Sequence, residues 1–534
     1  MVQSERPNFL LFITDQHRAD HLGCSGHALL RTPHIDALAA RGCRFIDFHV
    51  ATPICQPNRA SLMTGRLPSA HGLQLNGREL SHGERTFVQA LRDAGYRTAL
   101  VGKSHLQNIT AVPPFWPQAA ERLSHESKAL FPGRYGQEVA RRWDEDDAFE
   151  LELPYYGFEQ VALTIGHADQ QSGHWRRWLR LQTPDADRLI GPDNALPTPG
   201  WALTRLRQAW RTRVPEELYP TRYIAQQTCK MLQGFASGDA PFFMQCSFPD
   251  PHHPFTPPGR YWDMYRPSEV DLPHSFDAAL FDAPPPVSWL HRQRANRSDH
   301  FKPGHGTFAV THQEAREALA LNYGNIACID DAIGQVMAEL GRLGLADNTV
   351  VMFTSDHGDM LGDRGLMFKG GLHYSGLTRV PFIWSDPAPS VASATPLPRE
   401  TSALTQTIDI AATVLERAGV QPAHGMQGQS LLPLITGQVD ALRSHLLIEE
   451  EGQRLDFGLN HRIRMRTLRT RDYRLSIYDG EPWGELCDLR ADPLELRNLW
   501  NDPASQMLRS QLTAELAYAM LSQTNTSPYP LASA

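Results

Sequence analysis

Apolar residues in the first hundred positions form two patterns, which are continuous runs and residues spaced for one face of a helix. A continuous apolar run at Asn8–Thr14 predicts a buried strand that opens into polar Asp15-Gln16-His17. Three apolar residues spaced for one helix face lie between Thr32-Pro33, which can begin a helix, and Gly42, which can end it. The same reasoning predicts strands at Cys43–His49 and Tyr96–Val101, and helices at Arg59–Thr64 and Phe87–Ala94.

Strands and helices that alternate in this way indicate an α/β fold with a large, mostly parallel sheet and helices on both faces. Because the carboxyl ends of parallel strands meet at one edge, reactive side chains should collect in the loops there. Residues 108–320 break the pattern, because they are irregular and rich in Pro, Trp and Arg. We interpret them as long insertions, within which Lys230–Ser237 and Ala240–Phe248 predict a helix and then a strand.

Regular patterning returns with a helix at 313–343, a strand at Thr349–Thr354 and a helix near Asp409–Gly419. After about residue 440 the pattern changes to short strands separated by turns, and then to a helix. These elements are predicted at Leu446–Glu451, Ile463–Thr470, Tyr473–Tyr478 and 503–522. We therefore expect a main α/β domain at 1–438 and a C-terminal subdomain at 439–534, built from a small antiparallel sheet with a helix and a tail.

Composition narrows the possible classes of protein. The chain has 534 residues, with 51 Lys and Arg against 59 Asp and Glu, and a formal net charge of −8. A hydrophobic fraction of 41% fits a folded globular protein and excludes a wholly disordered one. No apolar run approaches the roughly 18 residues of a membrane helix, so we expect no membrane partner. The acidic balance argues against nucleic acid as a partner.

Cysteine usage indicates a reducing compartment. The seven cysteines are dispersed, odd in number and without a C-x-x-C pair. This pattern fits neither a dense disulfide framework nor a cysteine-type zinc site. The N-terminus also lacks a secretory apolar region, so we expect a cytoplasmic location. Most of these thiols should be small buried apolar groups, and Cys55 is the exception.

Residues 55–59 read CQPNR and are followed by Ala60-Ser61. A pattern this short can occur by chance, and a buried cysteine beside a helix-capping arginine would be a purely structural explanation. The stretch resembles the signature of the type I sulfatases, C-x-P-S-R or C-x-P-x-R followed by a small residue and a hydroxyl residue. Asn58 replaces the usual serine or alanine.

The resemblance to sulfatases, a family of the alkaline phosphatase superfamily, covers nearly the whole chain. Asn8–Gln16 resembles the first family strand, which ends in metal-binding acids, and Thr354–Asp359 (TSDHGD) resembles the second metal segment. Further matches are Gly102–Leu106 to a G-K-x-H-x motif, Pro251–Pro254 to an H-x-P loop, and Phe368-Lys369 to a second active-site lysine. The resemblance implies an alkaline phosphatase-like catalytic domain that hydrolyses sulfate monoesters.

The resemblance also implies a mechanism. In that family a formylglycine-generating enzyme oxidises the cysteine, here Cys55, and the hydrated aldehyde of the formylglycine attacks sulfur. Asp356 would take the proton of the attacking hydroxyl, and Arg59 would hold the formylglycine. His252 and Lys369 would help to protonate the departing alcohol.

Two further residues receive roles from the same resemblance. His105 would deprotonate the remaining hydroxyl and expel sulfate, and Lys103 would bridge the nucleophile and the substrate. Judged by residue type alone, His105 could be a structural histidine, and Lys103 and Lys369 could be solvated surface residues. Their motif context favours the catalytic interpretation.

Hydrolysis of a sulfate monoester needs a divalent ion that neutralises the sulfate oxygens and orients the nucleophile. The resemblance assigns this ion to Asp15, Gln16, Asp356 and His357, with one oxygen of the formylglycine derived from Cys55. Asx turns after apolar strands are the alternative explanation for the two acids. Many sulfatases have two adjacent acids and an Asp-Asn pair at these places. The imidazole found here shifts the expected ion from Ca²⁺ towards Mn²⁺.

The altered ligand set resembles the phosphonate monoester hydrolases and the choline-sulfatase branch. Asn76 lies where those branches have an asparagine that lines the anion pocket, although an Asn-Gly turn explains it as well. Phosphonate hydrolases tend to have Tyr and Thr where this chain has Lys103 and His105. We therefore favour an arylsulfatase-like enzyme acting on small-molecule sulfate esters.

A phosphonate monoester hydrolase or phosphodiesterase is the second hypothesis, as a main or a side activity. An inactive binding protein with the sulfatase fold is the third. We also expect a homo-oligomer.

Overall fold

The computed structural model describes residues 6–113, 128–278, 283–298, 301–304, 306–388 and 399–533. Its strands are β1 Asn8–Thr14, β2 Cys43–Phe45, β3 Phe48–His49, β4 Arg97–Gly102, β5 Gln160–Ile165, β6 Ser172–Gly173, β7 Phe242–Ser247, β8 Phe308–Ala309, β9 Thr349–Ser355, β10 Leu366–Met367, β11 Phe382–Ser385, β12 Arg399–Thr401, β13 Thr405–Gln406, β14 His445–Glu451, β15 Arg464–Thr470, β16 Tyr473–Tyr478 and β17 Gly484–Asp488. Its α-helices are α1 Pro33–Ala40, α2 Cys55–Thr64, α3 Pro68–His71, α4 Phe87–Asp93, α5 Ala140–Glu145, α6 His174–Gln182, α7 Ala202–Arg205, α8 Pro220–Ala236, α9 Pro285–Ala295, α10 His312–Arg342, α11 Ser375–Thr378, α12 Asp409–Arg417, α13 Leu432–Ile435 and α14 Gln506–Ser522.

Nine of these strands form one large sheet. Their order is β12-β2-β11-β9-β1-β7-β4-β5-β6, and the five central strands from β9 to β5 run parallel. The register aligns Thr14 of β1 with Ser355 of β9, and Ser247 of β7 with Gly102 of β4. The loops that follow these strands therefore leave the sheet at the same edge. The predicted large, mostly parallel sheet is confirmed.

Strand β1 is buried because both faces of the sheet are covered. Phe9 and Leu11 pack against the layer that contains α2, α4 and α12. Leu10 and Phe12 alternate to the other face and pack against α1, α8 and α10. This alternation explains why the strand is apolar at every position rather than at every second one. The expectation of helices on both faces is also confirmed.

Several boundaries differ from the predicted ones. The apolar run at Cys43–His49 is two strands, because β2 pairs with β11 and β12 whereas β3 pairs with β13 in a separate sheet. Helix α2 begins at Cys55, not at Arg59, because Pro57 in its first turn needs no backbone donor. Helix α8 begins at Pro220, ten residues before the predicted start, for the same reason.

The stretch 108–320, which we interpreted as long insertions, also contains elements of the main sheet and its helical layer. Strand β5, within it, pairs in parallel with β4 and extends the main sheet. It was not predicted, because its short apolar run lies between polar and glycine-containing segments. Helix α8 and strand β7 also lie in this stretch and build the core of the sheet. In the described ranges, no helix is both long and apolar enough to cross a bilayer.

The C-terminal region forms the predicted small antiparallel sheet with a helix. Strands β14 to β17 pair in sequence order, and α14 packs on one face through Leu512 and Leu516. Strand β17 was not predicted. On the other face, Met465 and Tyr478 join an apolar cluster with Leu366 of the main body. The sheet is therefore held against the domain that carries the strand-end loops.

Candidate active site

The Cys55 side chain lies at the start of α2, buried among cationic groups. Nζ of Lys369 is 3.5 Å from its sulfur, and Nδ2 of Asn76 is 3.8 Å away. Burial raises the pKa of the Cys55 thiol, but its interactions with Lys369, Lys103 and His105 lower it by more, so the pKa lies well below its usual value. This is the environment of a reactive group rather than of a structural cysteine.

Arg59 lies one helical turn after Cys55 and points to the strand ends. Its Nε donates to Oδ2 of Asp356 at 2.7 Å, and its Nη2 is 3.6 Å from Oδ2 of Asp15. Its Nη1 donates to the Ser247 hydroxyl at the end of β7. Burial lowers the pKa of Arg59, but Asp356 and Asp15 raise it above its usual value. Arg59 thus ties the nucleophile helix to three strands.

Asn58, which departs from the sulfatase signature, makes bonds that a serine could not all make. Its Oδ1 accepts from the Ala51 backbone and from the Thr407 hydroxyl, at 3.0 and 2.9 Å. Its Nδ2 donates to the carbonyl of Asp356 at 2.6 Å. Because an amide has both an acceptor and a donor end, Asn58 connects α2 to the loop after β9.

The four residues predicted to hold a metal meet at the ends of β1 and β9. The Gln16 backbone, in a left-handed conformation at φ 66°, donates to Oδ1 of Asp356. Oδ1 of Asp15 lies 3.2 Å from Nε2 of His357, without a hydrogen bond. Donor atoms of Asp15, Cys55 and His357 lie within 4.8 Å of one another. This group could hold a metal ion.

The electrostatic environment around Asp15, Cys55 and His357 favours a bound cation. Burial and Lys369 lower the pKa of His357, but Asp356, Asp15 and Cys55 raise it to about 9. Oε1 of Gln16 is buried and accepts no hydrogen bond from any described residue. The unsatisfied oxygens of Asp15 and Gln16 are the kind of acceptors that a metal ion uses.

Lys103 approaches Asp15 from the next strand but one. It follows Gly102, where φ is 99° and a β-carbon would lie 1.8 Å from the carbonyl oxygen of Ser247, so that only glycine fits. Its ammonium forms a buried ion pair with Asp15 and lies 2.7 Å from Nε2 of His167. Burial raises the pKa of Asp15, but Lys103 and His252 bring it well below its usual value.

His252, Lys369 and His167 form the opposite side of the site. Nε2 of His252 is 3.2 Å from Nζ of Lys369, whose ammonium also lies 2.5 Å from Nε2 of His357. His167 stacks face to face on His252, with ring centroids 3.7 Å apart. Burial and the charge of His167 lower the pKa of His252 well below its usual value.

His167 was not predicted as a site residue. It follows β5 through Gly166, just as Asp15 follows β1. The apolar run Val161–Ile165 could have identified it, had this run been recognised as a strand of the main sheet. His105, which was predicted, lies in the loop after β4 at φ 59° and faces Cys55.

The other histidines near the motifs have structural partners. His253 contacts the Gln16 amide at 3.0 Å and stacks on Phe368 at 3.5 Å. His373 bonds to Glu450 and Thr467. Asp359, which also lay in the second metal motif, accepts a hydrogen bond from the Gln16 side chain. His253 and Asp359 therefore orient a predicted metal ligand.

The site opens into a cavity of about 530 Å³. Residues of the main domain at its base are Cys55, Asn76, His105, His167, His252 and Lys369. Ile109 and Val112 line one side of it. The facing wall comes from the C-terminal sheet and includes Glu450, Arg454 and Asp456. Both parts of the chain therefore contribute to the cavity above the nucleophile.

The profile of the sulfatase family matches residues 7–420. The chain belongs to the sulfatase family. A second family, described as N-sulphoglucosamine sulphohydrolase, C-terminal, matches residues 363–522. An arylsulfatase of Clostridium perfringens is 27% identical over 500 residues, which cover 93% of this chain and 90% of that protein. A choline-sulfatase of Rhizobium meliloti is 27% identical over 514 residues, which cover 95% of this chain and 85% of that protein.

Among solved structures, the phosphonate monoester hydrolase of Agrobacterium radiobacter superimposes on this sulfatase with a TM-score of 0.75 and 26% identity, covering 99% of this chain and 98% of that one. The predicted sulfatase resemblance and alkaline phosphatase-like fold are confirmed. The prediction of a hydrolase of the sulfatase family is confirmed too. The roles of the individual residues stay predictions.

Proposed function

We propose that the chain hydrolyses sulfate monoesters of small alcohols or phenols, with a nucleophile derived from Cys55 and one divalent ion. The observation that carries this proposal is the position of Cys55. It shares one cavity with Lys369, His252 and Asn76, and it adjoins the strand-end group of Asp15 and His357. A sulfate group above Cys55 would meet the ammonium of Lys369, the imidazole of His252 and the amide of Asn76, which complement its negative charge.

The metal ion would be held by Asp15, Gln16, Asp356 and His357. Their donors are two carboxylates, an amide oxygen and an imidazole nitrogen, a mixed set that suits Mn²⁺ better than an all-oxygen site would, although Ca²⁺ remains the alternative. When bound, the ion would neutralise sulfate oxygens and orient the nucleophile. Arg59 holds Asp356 in place through its 2.7 Å bond and keeps the charge of that acid compensated.

The thiol of Cys55 stands where the hydrated aldehyde of formylglycine would lie after maturation. Such a conversion requires a formylglycine-generating enzyme as a partner. Asp356 is the proposed acceptor for the proton of the attacking hydroxyl. His105, which interacts with the Cys55 sulfur, is the proposed base that permits release of sulfate.

The proton for the departing alcohol would come from the pair of His252 and Lys369. The low pKa of His252 leaves its imidazole neutral, and its Nε2 lies 3.2 Å from Nζ of Lys369, so the imidazole can pass a proton from this pair to the bridging oxygen. His167 fixes the ring plane of His252 by stacking on it. A fixed ring directs Nε2 into the cavity, where the bridging oxygen would lie.

The second candidate function is hydrolysis of phosphonate monoesters or phosphodiesters. The contact between Asn76 and the Cys55 sulfur is compatible with it, because the amide would donate to an anion bound there whether its central atom is sulfur or phosphorus. The Agrobacterium radiobacter structure adds support. The presence of Lys103 and His105 keeps the sulfatase proposal first.

A substrate panel tests this choice. Purified protein from a host with the maturation enzyme should turn over aryl sulfate faster than aryl phosphonate or aryl phosphodiester. The mass of the peptide containing Cys55 should show the thiol replaced by an aldehyde. Faster turnover of the phosphonate would favour the second candidate function. Full sulfatase activity with an unmodified thiol would contradict the proposal that formylglycine is the nucleophile.

A cytoplasmic location and a homo-oligomer stay predictions. The seven free cysteines support the cytoplasmic location.

A further inference from the structure

Glu138 is a buried carboxylate that serves the loop of His105. Its side chain is 1% exposed, and it precedes α5 in the stretch that the sequence predicts to be irregular. Among the described residues, no lysine or arginine forms an ion pair with it. Backbone N–H groups compensate its negative charge instead of a cationic side chain, which is unusual for so deeply buried a carboxylate.

Three consecutive backbone donors converge on this one carboxylate. Oε2 accepts from the N–H of His105 at 2.7 Å. Oε1 accepts from the N–H of Leu106 at 2.9 Å and of Gln107 at 3.0 Å. The hydroxyl of Tyr155 adds a fourth bond at 2.6 Å. Successive N–H groups that point to one place form an anion-binding concavity, and here the anion belongs to the same chain.

The backbone of His105 needs such support. Its φ of 59° lies in the left-handed region, which residues with a β-carbon avoid. Neighbouring hydrogen bonds also hold the chain segment that carries Glu138. The Gln137 N–H donates to Oε1 of Gln107 at 2.8 Å, and Nε2 of Gln107 donates to the carbonyl of Arg134 at 3.1 Å. The two segments are thus locked together along several residues.

We infer that Glu138 is a positioning residue, which holds the loop 105–107 so that the His105 imidazole faces the nucleophile at residue 55. The inference rests on the proposed function for the role of His105. It adds that this role depends on an acid that touches neither the substrate nor the metal ligands. Nδ1 of His105 is buried and bonds to no described residue, so the conformation of the loop, rather than a bond at Nδ1, sets the direction of the ring.

A double-mutant cycle tests this inference. Because His105 is proposed to act in sulfate release, after the alcohol has left, Glu138→Gln should lower kcat by about 100-fold, the effect of a catalytic group displaced by about 1 Å. If Glu138 acts through His105, adding Glu138→Gln to His105→Ala should cause no further loss. Losses that multiply, or unchanged turnover in the folded single variant, would overturn the inference. Tyr155→Phe, which removes one of four bonds to the carboxylate, should fall between the native protein and Glu138→Gln.

Glu317→Gln is the matched control. Glu317 is also a buried glutamate that accepts two backbone N–H bonds, from Ala202 at 3.0 Å and Leu203 at 2.7 Å. It does not line the cavity above Cys55. Glu317→Gln should leave kcat unchanged, even where its melting temperature falls as far as that of Glu138→Gln. An equal loss of kcat in both variants would mean that lost stability, not positioning, explains the effect.

A measurement without substrate separates this inference from the proposed function. Hydrogen–deuterium exchange of the backbone amides at 105–107 should be slow in the native protein and faster in Glu138→Gln. Amides elsewhere in the main sheet should be unaffected. If exchange responds but no sulfate or phosphonate ester is hydrolysed, the contact stands and the proposed function fails. If exchange does not respond, the positioning role fails whatever the activity.

Discussion

The base of the cavity and its outer wall differ in how their charges are held. Next to the base, Asp15, Asp356 and Arg59 are almost fully buried, and each charge has a partner within 4 Å. On the wall, Arg454 is exposed and belongs to a loop between two strands of the C-terminal sheet. A buried, paired group has one orientation, whereas an exposed side chain can adjust to what binds. The base is therefore suited to the chemistry, and the wall to the choice of alcohol.

The largest effect should come from the nucleophile. Cys55→Ala should reduce turnover to background while the melting temperature stays near that of the native protein, because one small buried residue replaces another. The matched control is Cys246→Ala, in β7, where burial raises the pKa of the thiol to about 12. Activity that survives Cys55→Ala, or that is lost equally in Cys246→Ala, would contradict the assignment of Cys55 as the source of the nucleophile.

The next effect concerns the metal. Asp356→Ala should lose both the bound ion and activity, as measured by elemental analysis and turnover. It also leaves Arg59 with a weaker partner, which should cost about 3–5 kcal/mol of unfolding free energy. Asp409→Ala, which breaks the buried pair with Arg443, should destabilise the protein but keep the ion. Full metal content in Asp356→Ala would exclude the site.

Metal binding should also depend on pH. The pKa of His357 is raised to about 9 without an ion, so the ring is protonated at neutral pH and must lose its proton to bind metal. Apparent affinity should therefore fall about tenfold per pH unit as pH drops below 9. Titration of metal-depleted protein between pH 6 and about 10 measures this slope. A flat profile would remove His357 from the ligand set.

Leaving-group assistance should give a smaller and selective effect. His252→Ala should slow unactivated alkyl sulfates by about 100- to 10,000-fold, but nitrophenyl sulfate much less, because nitrophenolate needs no proton. His252 is a cleaner test than Lys369, whose ammonium also contacts Cys55 and His357. His71→Ala removes a buried histidine bonded to Ser61 and serves as the control. Equal losses on all esters would assign His252 to sulfate binding.

The smallest effect should come from the wall. Arg454→Ala should change the ranking of alcohols in kcat/KM by less than about tenfold, because exposed charges contribute about 0.2–1 kcal/mol each. Stability should be unchanged within about 0.5 kcal/mol. Arg490→Ala, an exposed arginine elsewhere in the C-terminal sheet, is the control. A loss of all activity in Arg454→Ala would place the wall among the groups that act on sulfate.

The residues that the sequence identified share one property. Asp15, Cys55, Lys103 and Asp356 each belong to a short motif that directly follows a strand or begins a helix. The apolar period that predicts the element therefore also predicts where its polar end lies. The register of β1 with β9, and of β7 with β4, then brings these ends together. Parallel pairing makes that outcome predictable without coordinates.

Other parts of the site depended on contacts between segments that no local pattern connects. His167 reaches Lys103 from the loop after β5, 64 positions further along the chain, and Glu138 reaches His105 from 33 positions away. The C-terminal sheet supplies a wall of the cavity because its Met465 face packs on the main domain. Periodicity, turn residues and motifs predicted the α/β framework and placed the candidate site residues at the strand ends. Which distant side chains orient those groups was decided only by tertiary packing, because a buried carboxylate or a stacked ring is specified by its partner in space and not by its neighbours in sequence.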